Sequence, residues 1–239
     1  IHIYPGAPLS YRTAHKQFEA LGRPDEDLVS MGLDPKKDAN QHAAPGRLTF
    51  VSEIGYGSTP NLVKNNRQFE ALGQKDTPPP VYHKMLEVSL KQALKSSGMD
   101  EIFPDVESFC LAQQEIHADA NRRMIESIRI NPVARGYAVH ALTDGDWVLG
   151  AGLLDLFREP KTPYFAVKAA NAKQLIIIQL SAHNVYHDKG FQLRVFGVNE
   201  LKPIKGEWTI QLVQKSELIK TMTPSTQTLT QTLATGITT

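Results

Sequence analysis

Phe50-Val51-Ser52-Glu53-Ile54-Gly55-Tyr56-Gly57 closes a short apolar run with a single glutamate and then passes at once into small residues. The run from Leu48 to Val51 has the make-up of a buried strand. Gly55, Gly57, Ser58 and Pro60 are turn formers. The octet therefore predicts a strand whose last side chain emerges into a loop. Barrel enzymes place catalytic groups at such C-terminal strand ends. A glutamate that ends a strand and caps the next segment accounts for the same residues, and on the octet alone this plainer account is preferred.

Working outward, Ile1-His2-Ile3-Tyr4 alternates apolar and polar positions and reads as a strand. It starts without an initiator methionine or a signal peptide, so the sequence is expected to be a C-terminal portion of a longer protein. Residues 12–22 suggest a short helix. Residues 23–47, with Asp25-Glu26-Asp27 and Pro35-Lys36-Lys37-Asp38, read as a long irregular excursion. Downstream of the octet, a helical pattern runs from Tyr82 to Ser97, started by Pro78-Pro79-Pro80 and stopped by Gly98. A second runs from about Pro104 to Ile128, with Phe109, Ala112, Ile116, Ala120 and Ile125 on one face. Residues 136–143 read as a strand and residues 163–171 as a short helix. Strand, helix, strand implies parallel neighbours and a crossover.

From about residue 173 the pattern changes. Leu175–Leu180, Phe191–Phe196 and Trp208–Val213 read as short strands separated by turns, which suits an antiparallel sandwich. The Thr-rich tail from Thr221 is expected to fray. The sequence thus predicts an α/β region over residues 1–172 and a partial β-sandwich over 173–239. One small repeat stands out, Gln17-Phe-Glu-Ala-Leu-Gly22 and Gln68-Phe-Glu-Ala-Leu-Gly73. Two copies make no solenoid. They read either as equivalent segments after successive strands or as coincidence.

Composition excludes several classes. Lys plus Arg (26) nearly balances Asp plus Glu (25), so the net charge of +1 gives no footprint for nucleic acid. No apolar run approaches the ~20 residues of a membrane helix. Cys110 is the one cysteine, which rules out an intrachain disulfide and a zinc framework. It shares a helix face with His117, but a buried free cysteine is commoner than a catalytic pair. His183 and His187 have i, i+4 spacing in a strand-like region without a third ligand, so neither metal nor cofactor is expected. The compartment stays open.

Phe-Val-Ser-Glu-Ile-Gly-Tyr resembles the nucleophile segment of glycoside hydrolase family 2, the β-galactosidase, β-mannosidase and β-glucuronidase group, with most likeness to the β-mannosidase-like branch. Gly136-Tyr-Ala-Val-His-Ala-Leu-Thr-Asp144 resembles barrel strand eight of that family. Gly152-Leu-Leu-Asp155 and Arg158-Glu-Pro-Lys161 resemble the stretch leading from it into the last helix. The pieces occur in the family's order over about residues 1 to 200. The resemblance implies the C-terminal part of a (β/α)8 TIM barrel, about strands six to eight, followed by a partial immunoglobulin-like sandwich. It implies retaining, exo-acting hydrolysis of a β-linked sugar.

Such chemistry needs two carboxyl groups about 5–5.5 Å apart, one a nucleophile and one an acid/base. The resemblance makes Glu53 the nucleophile and Tyr4 the strand-six tyrosine that orients it. His2 and Tyr4 share a strand face; without the resemblance they read as two core aromatics. His140, Asp144 and Trp147 lie at or beyond the end of strand eight and are candidate sugar contacts. Trp147 would stack on a sugar ring, or anchor its loop. His140-Ala-Leu-Thr-Asp departs from the Trp-containing strand of several branches. The acid/base is a glutamate after an asparagine in the family. No Asn-Glu pair precedes Glu53, and Asn199-Glu200 reads as a turn. The expected partners are therefore a carbohydrate and the missing N-terminal portion of the same protein. The alternative is a carbohydrate-binding or structural subunit without catalysis.

Overall fold

The computed structural model describes residues 2–5, 9–38, 46–145, 149–181, 192–206, 210–214, 217–222, 227–229 and 235–238; His2, Tyr11 and the residues from 204 onward are described by backbone alone. The chain divides into two units, Ile1–Ile128 with Val133–Asn171, and Arg129–Pro132 with Ala172–Thr239.

In the first unit, β1 (His2–Ile3), β2 (Thr49–Ile54) and β3 (Ala134–Val139) form a parallel sheet in that order. The helices are α1 (Tyr11–Ala14), which continues as a π-helical turn over His15–Glu19, α2 (Asp25–Ser30), α3 (Pro35–Asp38), α4 (Leu62–Ala71), α5 (Pro78–Ser96), α6 (Val106–Arg129) and α7 (Thr162–Ala170). Their ends follow local chemistry. The Asn61 side chain accepts from Lys64 N at 3.0 Å and caps α4. Asp105 accepts from Ser108 N at 2.7 Å at the start of α6.

One face of the sheet is covered. Ile3, Val51 and Ile54 pack with Phe18, Leu21, Met124, Ile125 and Ile128. The other face carries Phe50 (55 % exposed), Tyr4 (54 % exposed), Ser52 and Ala138. Parallel sheets are ordinarily covered on both faces. Within β2, Thr49 and Val51 are buried and Phe50 and Ser52 exposed, as a period of two requires. The alternation then slips. Val51 pairs with Tyr137 but Ile54 with Val139, so three steps on β2 match two on β3. This is a bulge at Ser52-Glu53. It returns Ile54 to the core and re-aims Glu53 at the strand end.

In the second unit, β4 (Gln174–Leu180) and β5 (Leu193–Asn199) pair antiparallel over seven residues. Four further pieces are β6 (Ile204–Gly206), β7 (Ile210–Gln214), β8 (Glu217–Met222) and β9 (Gln227–Leu229), paired β6–β9 and β7–β8. β10 (Thr235–Thr238) lies along the other side of β5. Ile130, Ile177, Phe196 and Val198 form the core.

The three parallel strands form an open sheet and the described residues close no barrel; the second unit consists of small separate sheets. Several other expectations need correction. The excursion read as irregular contains α2 and α3, started by Pro24-Asp25 and Asp34-Pro35. Helix α4 stands ahead of the expected one, because its apolar positions are too few to show periodicity; Leu62, Asn65, Asn66 and Phe69 are its buried residues. The tail read as fraying contributes β9 and β10. Both copies of the repeat end a helical segment after a parallel strand, and each finishes on a glycine in the left-handed region, Gly22 at φ 71° and Gly73 at φ 69°. The repeat is thus a helix-stop signal used twice.

Candidate active site at the end of the central strand

Glu53 lies one residue before the end of β2, and the parallel register sets His2 directly beside it. Two residues on from His2, Tyr4 donates its hydroxyl to the Glu53 carboxylate. Partial desolvation of the phenol, followed by that hydrogen bond and the neighbouring negative charge, pushes Tyr4 up to about 12. His140, just past β3, brings Nε2 within 3.7 Å of Glu53 Oε1. The structure therefore brings Glu53, Tyr4 and His140 together, with the backbone of His2 alongside. Trp147 lies outside the described residues, as do His183 and His187.

The strand ends are held close by backbone contacts. His140 N donates to Ile54 O at 2.7 Å. The peptide between His140 and Ala141 is cis. A Cβ on Gly55 would stand 2.1 Å from the His140 carbonyl oxygen, whereas one on Gly57 would meet Ala151 at an ordinary 3.8 Å. Gly55→Ala is therefore expected to destabilise the chain by about 2–3 kcal/mol, and Gly57→Ala by about 0.5 kcal/mol or less. Urea denaturation of the two variants checks the contrast.

Behind this rim lies a buried polar layer. On α6, Asn121 Oδ1 accepts from Tyr56 N at 2.9 Å, and His117 Nδ1 lies 3.1 Å from Ser58 Oγ. Ser58 N donates to Gly150 O at 3.0 Å. His117 is fully buried, and desolvation, with the Lys161 charge adding to it, pushes its imidazole down to about 3. A depressed histidine stays neutral in the fold while the unfolded chain takes up a proton below about pH 6.5. Its contribution to stability is intact above that pH and is lost as pH falls toward 3. By pH 4 the loss is expected to reach about 3 kcal/mol. His117→Gln should remove that part of the acid slope, as read from urea midpoints across the range.

Asp144 belongs to this layer. It is 2 % exposed. Its carboxylate accepts from Lys161 Nζ at 3.0 and 3.2 Å and from Gly152 N at 2.7 Å. Lys161 Nζ also donates to Gly150 O at 3.1 Å. Burial pushes Asp144 up and Lys161 down, each opposed by the other's charge. Asp144, expected as a sugar contact, is engaged as a buried anchor of the loop after β3. Sequence reasoning gave no role to Asn121 or Lys161 and weighed His117 only beside Cys110. The spacing Cys110, Gln114, His117, Asn121, Met124, Ile128 is a helical stripe, and every member is buried. It went unseen because its middle is polar. No group of three or more metal-ligating side chains occurs among the described residues.

No family model matches the chain, and no curated protein matches it. Among solved structures it is similar to a β-D-mannosidase from Dictyoglomus thermophilum, with a TM-score of 0.52 and 18 % identity. The match covers 79 % of this chain and 23 % of the mannosidase, so the chain spans under a quarter of that protein's length. At this identity the likeness concerns the fold, a mixed helix and strand architecture shared with part of a glycosidase. An FMN-binding β-glucuronidase from Facaelibacterium prausnitzii L2-6 aligns at a TM-score of 0.22 and 13 % identity, over 53 % of this chain and 23 % of that one. That superposition is too loose to bear on the fold.

Proposed function

We propose that this chain carries the nucleophile half of a retaining β-glycosidase of the family 2 kind, within a longer polypeptide that supplies the acid/base. The observation that carries the reading is the bulged strand end, where Glu53 meets the Tyr4 hydroxyl and faces His140. The uncovered face of the parallel sheet supports the second half: an open set of three parallel strands is covered when further βα units complete a barrel.

In the proposed reaction a Glu53 oxygen attacks the anomeric carbon as the bond to the leaving oxygen breaks. The acid/base carboxyl protonates that oxygen. Water, deprotonated by the same residue, then attacks the anomeric carbon, and the ester bond returns its electron pair to Glu53. Tyr4 holds the carboxylate in its ionised form and aims it, since a phenol that donates to a carboxylate favours the charged state. His140 and Trp147 are the proposed sugar contacts, with His2 on the same edge. The immunoglobulin-like character of the second unit belongs to the same proposal.

A second reading is sugar binding without catalysis. The two are separated by expressing the chain together with its upstream coding sequence and assaying nitrophenyl β-glycosides. Turnover with retention of configuration supports the glycosidase. Saturable sugar binding with no turnover by the complete polypeptide supports the second reading.

A further inference from the structure

Two residues of α6, His117 and Asn121, touch no reacting group but are tied to the loop that follows Glu53. Tyr56 and Ser58 lie three and five residues beyond Glu53. Their backbone and side chain are tied to one face of α6, Tyr56 N to Asn121 Oδ1 at 2.9 Å and Ser58 Oγ to His117 Nδ1 at 3.1 Å. The Tyr56 ring stands edge-on to the His117 ring, centroids 6.1 Å apart. On the other side, Ser58 N is held by Gly150 O, which Lys161 in turn grips.

This arrangement is costly as packing alone. His117 and Asn121 are 0 % and 1 % exposed. His117 Nε2 and Asn121 Nδ2 have no partner among the described residues. A buried polar atom without a partner costs about 1–3 kcal/mol, and apolar side chains of similar shape would avoid it. What the polar pair supplies, and leucines would not, is a fixed hydrogen-bonded position for the loop that follows Glu53. The strand end at Glu53 is bulged, so its ladder to β3 does not by itself fix the carboxylate.

Resting on the reading of Glu53 as the reacting carboxylate, we propose that Asn121 and His117 are positioning residues, which clamp the Tyr56–Ser58 loop to α6 and so hold Glu53 against Tyr4. In the assembled enzyme, loss of the clamp lowers kcat with little change in KM, because the sugar contacts lie elsewhere and the aim of the nucleophile is what suffers.

The test uses the chain alone and reads Tyr4. In a rapid jump to about pH 11, a phenol with its pKa near 12 is about a tenth ionised, against about nine-tenths for an ordinary tyrosine near 10. Tyr4 ionisation is the difference in tyrosinate absorbance between each protein and the same protein carrying Tyr4→Phe. Glu53→Ala gives the reference value for a phenol that has lost its partner. Asn121→Leu and His117→Leu, shown folded by near-UV circular dichroism, are expected to raise Tyr4 ionisation several-fold, to the Glu53→Ala value. Asn121→Asp keeps the acceptor for Tyr56 N and should stay near a tenth. Ser58→Ala breaks the His117 tie without touching the core stripe, and an intermediate rise is expected even if the leucine variants fail to fold. Tyr4 unchanged in Ser58→Ala and in every folded leucine variant would overturn the proposal. Because this readout needs no turnover, it stands or falls separately from the glycosidase reading, which active-site labelling decides.

Discussion

Glu53→Gln in the complete polypeptide is expected to lower turnover by several orders of magnitude while largely sparing sugar binding. The amide is nearly isosteric and can still accept from Tyr4, so the strand end keeps its shape. It cannot form the glycosyl ester, and the two-step route is lost. An activated leaving group should not rescue the variant, since leaving-group assistance does not replace a nucleophile. The smaller Glu53→Ala leaves room for an external anion. Azide entering from the vacated side attacks the anomeric carbon, displaces the leaving group and gives an α-glycosyl azide, inverted relative to the β-substrate. Product configuration by NMR reads this outcome. A Glu53→Gln polypeptide with near wild-type turnover contradicts the assignment.

The second large effect concerns stability. Asp144→Asn or Lys161→Met, made singly, is expected to destabilise the chain by about 3–5 kcal/mol, because each leaves the other charge buried without its counter-ion. Both residues are nearly inaccessible, and their contacts hold Gly150 and Gly152. The double variant should recover most of the loss, since a buried pair gives back in attraction little more than its desolvation took. Urea denaturation of the four proteins gives the cycle directly. Additive single losses would mean that the two residues act independently, against the geometry at 3.0 Å.

The strands were legible as short apolar runs bounded by turn formers: Leu48–Val51 ahead of Gly55 and Gly57, and Leu175–Leu180, which lies within β4. The helix boundaries given by Pro78 and Gly98 were legible because proline and glycine act through local backbone geometry, which no tertiary context has to supply. The bulge at Ser52-Glu53 was not legible: it exists only in the register between β2 and β3, and a single strand carries no sign of it. The polar stripe of α6 was invisible for a related reason. Hydrophobic periodicity registers burial only when the buried residues are apolar, and Gln114, His117 and Asn121 are buried polar residues, the last two hydrogen-bonded to the loop after β2. Asp144 was misread because an aspartate after a strand end looks the same in sequence whether it meets a ligand or a lysine seventeen residues on. The Glu53–Tyr4 pairing was suggested by the family resemblance and by the shared face of His2 and Tyr4, while the approach of His140 required the fold.

Covalent trapping tests the role of Glu53 most directly. The complete polypeptide is incubated with a 2-deoxy-2-fluoro-β-glycosyl fluoride. Attack at the anomeric carbon expels fluoride, and the fluorine at C2 slows hydrolysis of the ester that forms. Peptide mass spectrometry then locates the added fluorosugar. The sugar is expected on the peptide containing Glu53, with the fragment ions placing it on that side chain, and labelling should vanish in Glu53→Gln. A sugar attached to any other carboxylate, with Glu53 unmodified, would contradict the account.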